Sequence, residues 1–140
     1  MNVKYETAKT AKEKGYDDLC RLYYDHDQNI CGHPENIGKN STSQFKRFAF
    51  SAPEQYELQR WLREQHGIHL YADWYWHESD GYIYTFDLSY VPKEFADAKR
   101  RVSHVVRINS YSAYGAVYDG GFDTYELALE AGLQKALTLI

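Results

Sequence analysis

Residues 68–90 read IHLYADWYWHESDGYIYTFDLSY, and eight of these 23 residues are Phe, Trp or Tyr. Apolar and polar residues alternate on both sides of a polar break at residues 77–81, which ends in Gly81. Alternation with a period of two is typical of β-strands, and a short polar break that contains Gly is typical of a hairpin turn. The stretch therefore predicts one long aromatic β-hairpin.

The alternation also predicts the register of this hairpin. If residues 77–81 form a five-residue loop, most of the aromatic and aliphatic side chains fall on one face. A slip of one residue would scatter them over both faces, so the pattern selects this register. The predicted pairs are Trp76–Tyr82, Trp74–Tyr84, Ala72–Phe86 and Leu70–Leu88.

This register gives the hairpin an even-numbered face and an odd-numbered face, called the even face and the odd face below. We expect the bulky even face to pack against helices whose facing residues are small, because protein cores close-pack. The even face carries Ile68, Leu70, Trp74, Trp76, Tyr82, Tyr84, Phe86, Leu88 and Tyr90, the odd face carries His69, Tyr71, Asp73, Tyr75, Ile83, Thr85, Asp87 and Ser89, and the small helix residues are Ala8, Ala11, Ala128, Ala131, Gly132 and Ala136.

Two amphipathic helices are predicted before the hairpin. The first covers residues 3–14 and ends at Gly15, a residue that suits the position after a helix. The second begins with Ser51 as N-cap and Glu54 as its partner in a capping box. It ends at Gly67, directly before the hairpin.

The end of the chain predicts a third helix at residues 124–139, with Asp123 as N-cap and Glu126 completing a capping box. Glu126 and Glu130 then lie near its N-terminus, where the helix dipole favours acidic side chains. Together these elements predict a single α+β domain, with helices on one face of a mainly antiparallel sheet centred on the hairpin. Weaker patterns predict a helix at 92–101, strands at 19–24, 45–50, 102–108 and 113–118, and a long polar loop at 25–44.

The bulk composition sets limits on the class of protein. The chain has 140 residues, enough for one domain with a sizeable core. Its net charge of −4 argues against a dedicated nucleic-acid binder, which usually carries a basic excess. Two cysteines are too few for a disulfide scaffold, and no apolar run is long enough to span a membrane. We therefore expect a cytoplasmic protein with free thiols and no cofactor.

The strongest candidates for a metal site are Cys20, His26, Cys31 and His33, since thiolates and imidazoles suit zinc. Their spacing matches no zinc motif, so the favoured interpretation is a buried Cys20 and a polar loop. The triplet Asp25-His26-Asp27 resembles a ligand cluster, but such triplets usually hold turns.

The odd face of the hairpin is the favoured contact surface. Its Tyr71, Tyr75 and Ile83 form a partly apolar patch, and exposed Tyr clusters are typical of interfaces. His69 and Asp87 are diagonal neighbours in the predicted register, which is also a geometry for a general base. We predict a non-enzymatic binding protein that contacts a protein partner, or a copy of itself, through His69, Tyr71, Asp73, Tyr75, Ile83 and Asp87.

Two alternative functions remain open at this point. One is a metal-dependent hydrolase or nuclease that uses His69, Asp73, Asp87 or the loop at 25–33. The other is nucleic-acid binding through the basic stretch at 93–107, which the acidic total charge disfavours. The basic stretch contains Lys93, Lys99, Arg100, Arg101, His104 and Arg107.

Three short motifs lie near the start, the middle and the end of the chain. They are YETAK with KEKGYD (residues 5–9 and 12–17), WLRE with HGIH (61–64 and 66–69), and FDTYE with ALEAGL and AL (122–126, 128–133 and 136–137). In their order and spacing these motifs resemble a family of small uncharacterised proteins from phages and mobile elements of Bacteroides-type bacteria. This chain has longer loops than that family at 25–47 and 91–113. The resemblance implies a small accessory protein, and it assigns no functional residue.

Overall fold

A computed structural model describes residues 1–43, 45–78, 81–95, 105–109 and 121–140. The predicted α+β class is confirmed, and in the described part of the chain successive helices are separated by groups of three strands. The helices are α1 (Tyr5–Glu13), α2 (Gln55–His66) and α3 (Tyr125–Leu137), and the strands are β1 (Leu22–Asp25), β2 (Ile30–Gly32), β3 (Phe48–Ser51), β4 (His69–His77), β5 (Gly81–Tyr90) and β6 (Val106–Asn109).

The described strands form two antiparallel sheets. The first has the order β2-β1-β3, and the second, built on the aromatic hairpin, has the order β4-β5-β6. The predicted hairpin register is confirmed, with Leu70 opposite Leu88 and Trp76 opposite Tyr82. The predicted five-residue loop is too long, because His77 still pairs with Gly81 and only residues 78–80 connect the strands.

Helix α3 packs against the base of the hairpin, and the small residue Gly132 lies at the contact. A Cβ atom added to Gly132 would lie 2.6 Å from Leu70 Cδ1 and 3.0 Å from Phe86 Cβ. The predicted match between small helix residues and large sheet residues is therefore confirmed at the base of the hairpin. The buried core around this contact includes Ala8, Ala11, Leu58, Leu62, Ile68, Leu88, Leu129, Leu133, Ala136 and Leu137.

The start of the chain differs from its prediction in the first sheet. The predicted strand at 19–24 begins only at Leu22, and Cys20 instead forms a separate bridge to Gly38. The predicted long loop at 25–44 contains β2, which pairs with β1 along three residues. A three-residue strand is too short to show periodicity, so this hairpin left no pattern in the sequence.

The predicted caps of α2 and α3 were each placed too early in the chain. Ser51 is the last residue of β3, opposite Tyr23, and the N-cap of α2 is Glu54, whose backbone N–H donates to the Glu57 carboxylate. The hydroxyl of Thr124, not Asp123, accepts from the Leu127 N–H at the start of α3. In both cases a polar residue one to three positions later, Glu54 or Thr124, is the N-cap.

The remaining segment predictions are only partly covered by the described residues. Of the predicted helix at 92–101, Lys93–Phe95 forms a short 3-10 turn and residues 96–101 lie outside the described part. Of the predicted strand at 102–108, residues 106–108 lie in β6. The predicted strand at 113–118 lies wholly outside the described residues.

Candidate functional site

The outer half of the even face is exposed, which corrects the prediction that helices cover this whole face. Trp74 is 55% exposed, Trp76 is 63% exposed and Tyr82 is 64% exposed. The contact with α3 lies at Leu70 and Phe86, nearer the base of the hairpin. A nine-residue strand is about 30 Å long, whereas a helix is about 10 Å wide. The hairpin therefore extends past its cover.

The three exposed rings form a compact cluster, which we call the aromatic tip (Trp74, Trp76 and Tyr82). The Tyr82 ring lies between the two indoles, with its centroid 5.2 Å from that of Trp74 and 4.9 Å from that of Trp76. Both contacts are edge-to-face, at 65° and 68°. Such pairs contribute about 0.5–1.5 kcal/mol beyond burial, so the rings hold one another in place before any partner binds.

On the odd face the described side chains of β4 are exposed, whereas the middle of β5 is buried. Tyr71 is 53% exposed, and Asp73 beside it is exposed as well. Thr85 is fully buried, and its hydroxyl has no hydrogen-bond partner in the described part of the chain. Burial, followed by the nearby Asp87 carboxylate, raises the pKa of the Tyr75 phenol. The candidate surface predicted from the sequence is therefore exposed along β4, at His69, Tyr71, Asp73 and Tyr75, whereas Ile83 and Asp87 on β5 are half-buried.

The predicted His69–Asp87 pair has the expected placement but a different chemistry. His69 lies opposite Ser89 and Asp87 lies opposite Tyr71, so the two are diagonal neighbours as the register predicted. The Asp87 carboxylate accepts a hydrogen bond from the side-chain amide of Asn109 on β6. Among the described residues the His69 imidazole has no hydrogen bond to Asp87, so the pair is not arranged as a general base in this structure.

The four predicted metal candidates lie in separate environments. Cys20 is buried with its sulfur 3.5 Å from the Tyr16 hydroxyl, and His26 is exposed. The Cys31 sulfur lies 3.8 Å from an oxygen of Asp25. Within the described residues, no group of three or more His, Cys, Asp or Glu side chains is arranged to hold a metal ion.

His33 orders the segment that the sequence predicted as a polar loop. Its Nε2 lies 2.8 Å from the Ser43 hydroxyl, and its ring contacts the rings of Tyr23 and Phe45 edge-on. Gly38 is needed here, because an added Cβ would lie 1.9 Å from the same Nε2.

The His33–Ser43 pair resembles half of a hydrolytic dyad, but its hydrogen bonds have the opposite sense. The backbone N–H of Glu35 donates to His33 Nδ1 across 3.3 Å. A neutral imidazole that accepts at Nδ1 carries its proton on Nε2, which then donates to Ser43. His33 in this tautomer cannot take a proton from Ser43, so the pair holds the loop and does not activate a nucleophile.

The Asp25-His26-Asp27 triplet holds a turn. The Asp25 carboxylate accepts from the backbone N–H groups of Asp27 and Asn29, at 2.9 and 2.8 Å. These bonds, with that of Asn29 foremost, lower the pKa of the Asp25 carboxyl. The carboxylate thus closes the connection between β1 and β2, the structural role that such triplets usually have.

Sequence reasoning missed the one charged residue of α3 that is buried. Glu130 was expected to interact with the N-terminus of its own helix, but its carboxylate lies against the start of α1. It accepts from the backbone N–H of Lys4 at 2.9 Å, from the hydroxyl of Thr7, and from the side-chain amide of Gln55 at 3.0 Å. Glu130 therefore ties the three helices together, and no local pattern could have revealed partners more than 70 residues away.

Comparisons of this chain with protein-family models, with curated proteins and with solved structures found no match. None of the helices in the described part of the chain combines the length and the apolar content needed to cross a membrane. The geometry described above therefore has to carry the functional argument.

Proposed function

We propose that this chain is a non-enzymatic binding protein that contacts a protein partner through the outer half of the β4–β5 hairpin. The observation that carries the proposal is the exposure of the aromatic tip, whose three large side chains are each more than half exposed. Tyr71 is also exposed, but on the opposite, odd face and nearer the base of the hairpin. Trp and Tyr are the residues most enriched at the centres of protein interfaces.

The free energy gained by burying the aromatic tip supports a contact of moderate strength. An aromatic side chain buries about 150–250 Å², so covering the exposed part of three such rings removes roughly 350 Å² from water. At about 25 cal/mol per Å², the gross gain is roughly 9 kcal/mol. The cost of association is about 4–15 kcal/mol, so the aromatic tip needs further contacts beside it for tight binding.

The charges near the aromatic tip favour protein over nucleic acid as the partner. Asp73 and Glu78 are exposed acids on the same stretch of chain as the indoles. Phosphate groups would be repelled by these carboxylates, although exposed rings also suit base stacking. Of the basic stretch, Lys93 and Arg107 are exposed, and Lys99, Arg100, Arg101 and His104 lie outside the described residues.

The enzyme alternative has weaker support in the described geometry. Asp73 accepts from the backbone N–H of Trp74 at 2.8 Å, and Asp87 is engaged by Asn109. Both carboxylates hold the local structure of the hairpin, and neither has a hydrogen bond to a Ser, Thr or Cys side chain within the described ranges. The further proposal of an accessory role in a phage or mobile element rests on the sequence resemblance alone.

The test captures partner proteins from host lysate on the immobilised wild type and on matched variants. Binding is then measured again with the purified partner. The double variant Trp74→Ala/Trp76→Ala removes the aromatic tip, and Tyr56→Ala removes an exposed Tyr of α2 as the control. We expect one partner protein to be retained by the wild type and by Tyr56→Ala but lost by the double variant. Calorimetry with that purified partner should show binding by the wild type and by Tyr56→Ala, and loss of binding by the double variant. Equal retention by all three proteins would refute the proposal.

A further inference from the structure

We propose that a second copy of this chain pairs with the free edge of β4, which joins the two hairpin sheets across a twofold axis at Trp74. This inference rests on the proposed function, since it names the partner of the same hairpin. It starts from the sheet order β4-β5-β6, in which β4 has a described neighbour on one side only.

The hydrogen bonds of β5 show which backbone groups of β4 face the free edge. Tyr84 exchanges two backbone bonds with Phe122, at 2.9 and 2.8 Å, so its N–H and C=O point away from β4. In an antiparallel ladder both groups of a residue point to one side, and successive residues alternate. The odd-numbered residues of β5 therefore bond to β4, and their partners in β4 are also odd-numbered. The groups at the free edge belong to Leu70, Ala72, Trp74 and Trp76.

Side chains of the same chain already satisfy two of these edge groups. The Leu70 carbonyl accepts from the side-chain amide of Gln59, and the Trp74 N–H donates to Asp73. Ala72 and Trp76 have no partner at the edge among the described residues for either backbone group. Ala72 and Trp76 are thus the edge residues with both backbone groups unpaired, and they lie four residues apart on one strand.

The edge also lacks the features that usually block pairing. Sheet edges are commonly protected by Pro, by Lys or by a bulge. Strand β4 contains no Pro and no Lys, and its nine pairs with β5 run without a register shift. By contrast, the pairing of β1 with β3 shifts register after Tyr24. A long regular edge of this kind is a template for a further antiparallel strand.

Self-pairing about Trp74 satisfies these unpaired groups with one another. In this register Ala72 lies opposite Trp76 of the second copy, so each N–H meets a free C=O and the symmetric interface gains four such bonds. The small Ala72 side chain leaves room for the large indole opposite it. Asp73 lies opposite Tyr75 of the second copy, which keeps the two Asp73 carboxylates apart.

Two neighbouring registers, with the axis at Asp73 or at Ala72, are less favourable. A twofold axis at Asp73 would place two carboxylates directly opposite each other, which destabilises a strand pair. An axis at Ala72 would pair Leu70 with Trp74 of the second copy, although the Leu70 carbonyl and the Trp74 N–H already have partners. Of these three registers, only the axis at Trp74 pairs Ala72 with Trp76, so that free backbone groups meet free backbone groups.

The first test measures the oligomeric state of the full chain by sedimentation over a range of concentrations. We expect a dimer that dissociates on dilution. Ala72→Pro removes an edge N–H without touching a bond to β5, so we expect its dissociation constant to rise at least about tenfold, the effect of two lost hydrogen bonds. Ala72→Ser keeps the N–H and should dimerise like the wild type. A wild type that stays monomeric at millimolar concentration, or an Ala72→Pro variant that dimerises normally, would overturn the proposal.

A cross-linking test fixes the register and does not depend on the folding of Ala72→Pro. At an axis through Trp74 the two Cα atoms of that residue lie about 5.5 Å apart, which suits a disulfide. The two Ala72 residues lie four positions out of register, at about 13 Å, which is too far. In a Cys31→Ser background, Trp74→Cys should form an oxidised dimer and Ala72→Cys should not. The reverse result would overturn this register.

The two proposals fail in distinguishable ways. If the chain is a monomer but still captures a different protein through the aromatic tip, the proposed function stands and the self-pairing is wrong. If the chain dimerises and Trp74→Ala/Trp76→Ala leaves the dimerisation unchanged, the aromatic tip has no role in that contact and the self-pairing about Trp74 is wrong. Loss of dimerisation in both Ala72→Pro and the double variant supports both proposals.

Discussion

The substitution Gly132→Ala tests whether α3 is held against the hairpin by close approach. Gly132 is buried in the middle of α3, where Gly is normally unfavourable compared with Ala by about 1 kcal/mol. Helix propensity alone therefore predicts that Gly132→Ala stabilises the protein. The packing predicts the opposite, so the sign of the effect separates the two explanations.

The structure gives the size of the packing effect. The added Cβ would lie 2.6 Å from Leu70 Cδ1 and 3.0 Å from both Cβ and Cγ of Phe86. Carbon atoms in contact normally lie about 3.5–4.0 Å apart, so the helix must move or Leu70 must leave its position. Overpacking of this kind costs about 1–3 kcal/mol. After the gain in helix propensity of about 1 kcal/mol, we expect a net loss of up to about 2 kcal/mol and a melting temperature lower by up to roughly 6 °C.

Urea unfolding of the purified variant measures this loss, and two further variants control it. Gly32→Ala adds a Cβ with no atom within 4 Å and should change the free energy of unfolding by less than about 0.5 kcal/mol. Leu70→Val removes the methyl group that meets the new Cβ, so the double variant should be less destabilised than the sum of the two single variants. A Gly132→Ala protein more stable than the wild type would refute the close-packing argument.

Three further predictions concern residues away from the hairpin. Gly38→Ala should lower the free energy of unfolding by about 2 kcal/mol, because the His33 ring must leave Ser43; an unchanged melting curve would show that the ring has free space. Glu130→Gln should lower the free energy of unfolding, measured in urea, by about 2–3 kcal/mol. The new amide group is a donor, and it faces either the donors of Lys4 and Thr7 or the donor of Gln55. The control Glu6→Gln, at an exposed position, should change the free energy of unfolding little. Burial raises the pKa of the Cys20 thiol to about 11 and raises the pKa of the Tyr16 phenol as well. Because the unfolded chain releases these protons at lower pH, their contribution to stability is complete below about pH 9 and declines as the pH rises towards about 11. Tyr16→Phe should reduce the loss of stability above pH 10, the ordinary pKa of the phenol, and an unchanged pH dependence would exclude Tyr16 as a cause.

The hairpin register could be predicted because its signal is local. A one-residue slip exchanges the faces of every side chain, so a run of alternating residues determines its own pairing. The extent to which the even face is covered could not be predicted, because it depends on where α3 crosses the sheet. The sequence shows that Trp74 and Leu70 share a face, but only the structure shows that Leu70 is buried and Trp74 is exposed.

Only part of the first sheet could be predicted: the predicted strands at 19–24 and 45–50 overlap β1 and β3, but β2 was missed for a related reason. Strand β2 has three residues, and its connection to β1 is closed by the Asp25 carboxylate rather than by a Gly-containing turn. The segment after it is ordered by the contacts of His33 with Ser43 and Phe45. These are polar and aromatic contacts between residues that look like ordinary loop residues, so composition indicated a loop although specific contacts order the segment.

The free edge and the aromatic tip share Trp74 and Trp76, and this links the two proposals. The residues of β4 whose backbone groups face the free edge are the even-numbered ones, and these are also the residues whose side chains form the even face. A strand that pairs with Ala72 and Trp76 must therefore place its own side chains beside the exposed indoles. Four hydrogen bonds contribute about 4 kcal/mol in total, and covering the aromatic tip contributes roughly 9 kcal/mol before the cost of association. Each contribution alone lies near that cost, so we expect binding to require both the edge and the aromatic tip.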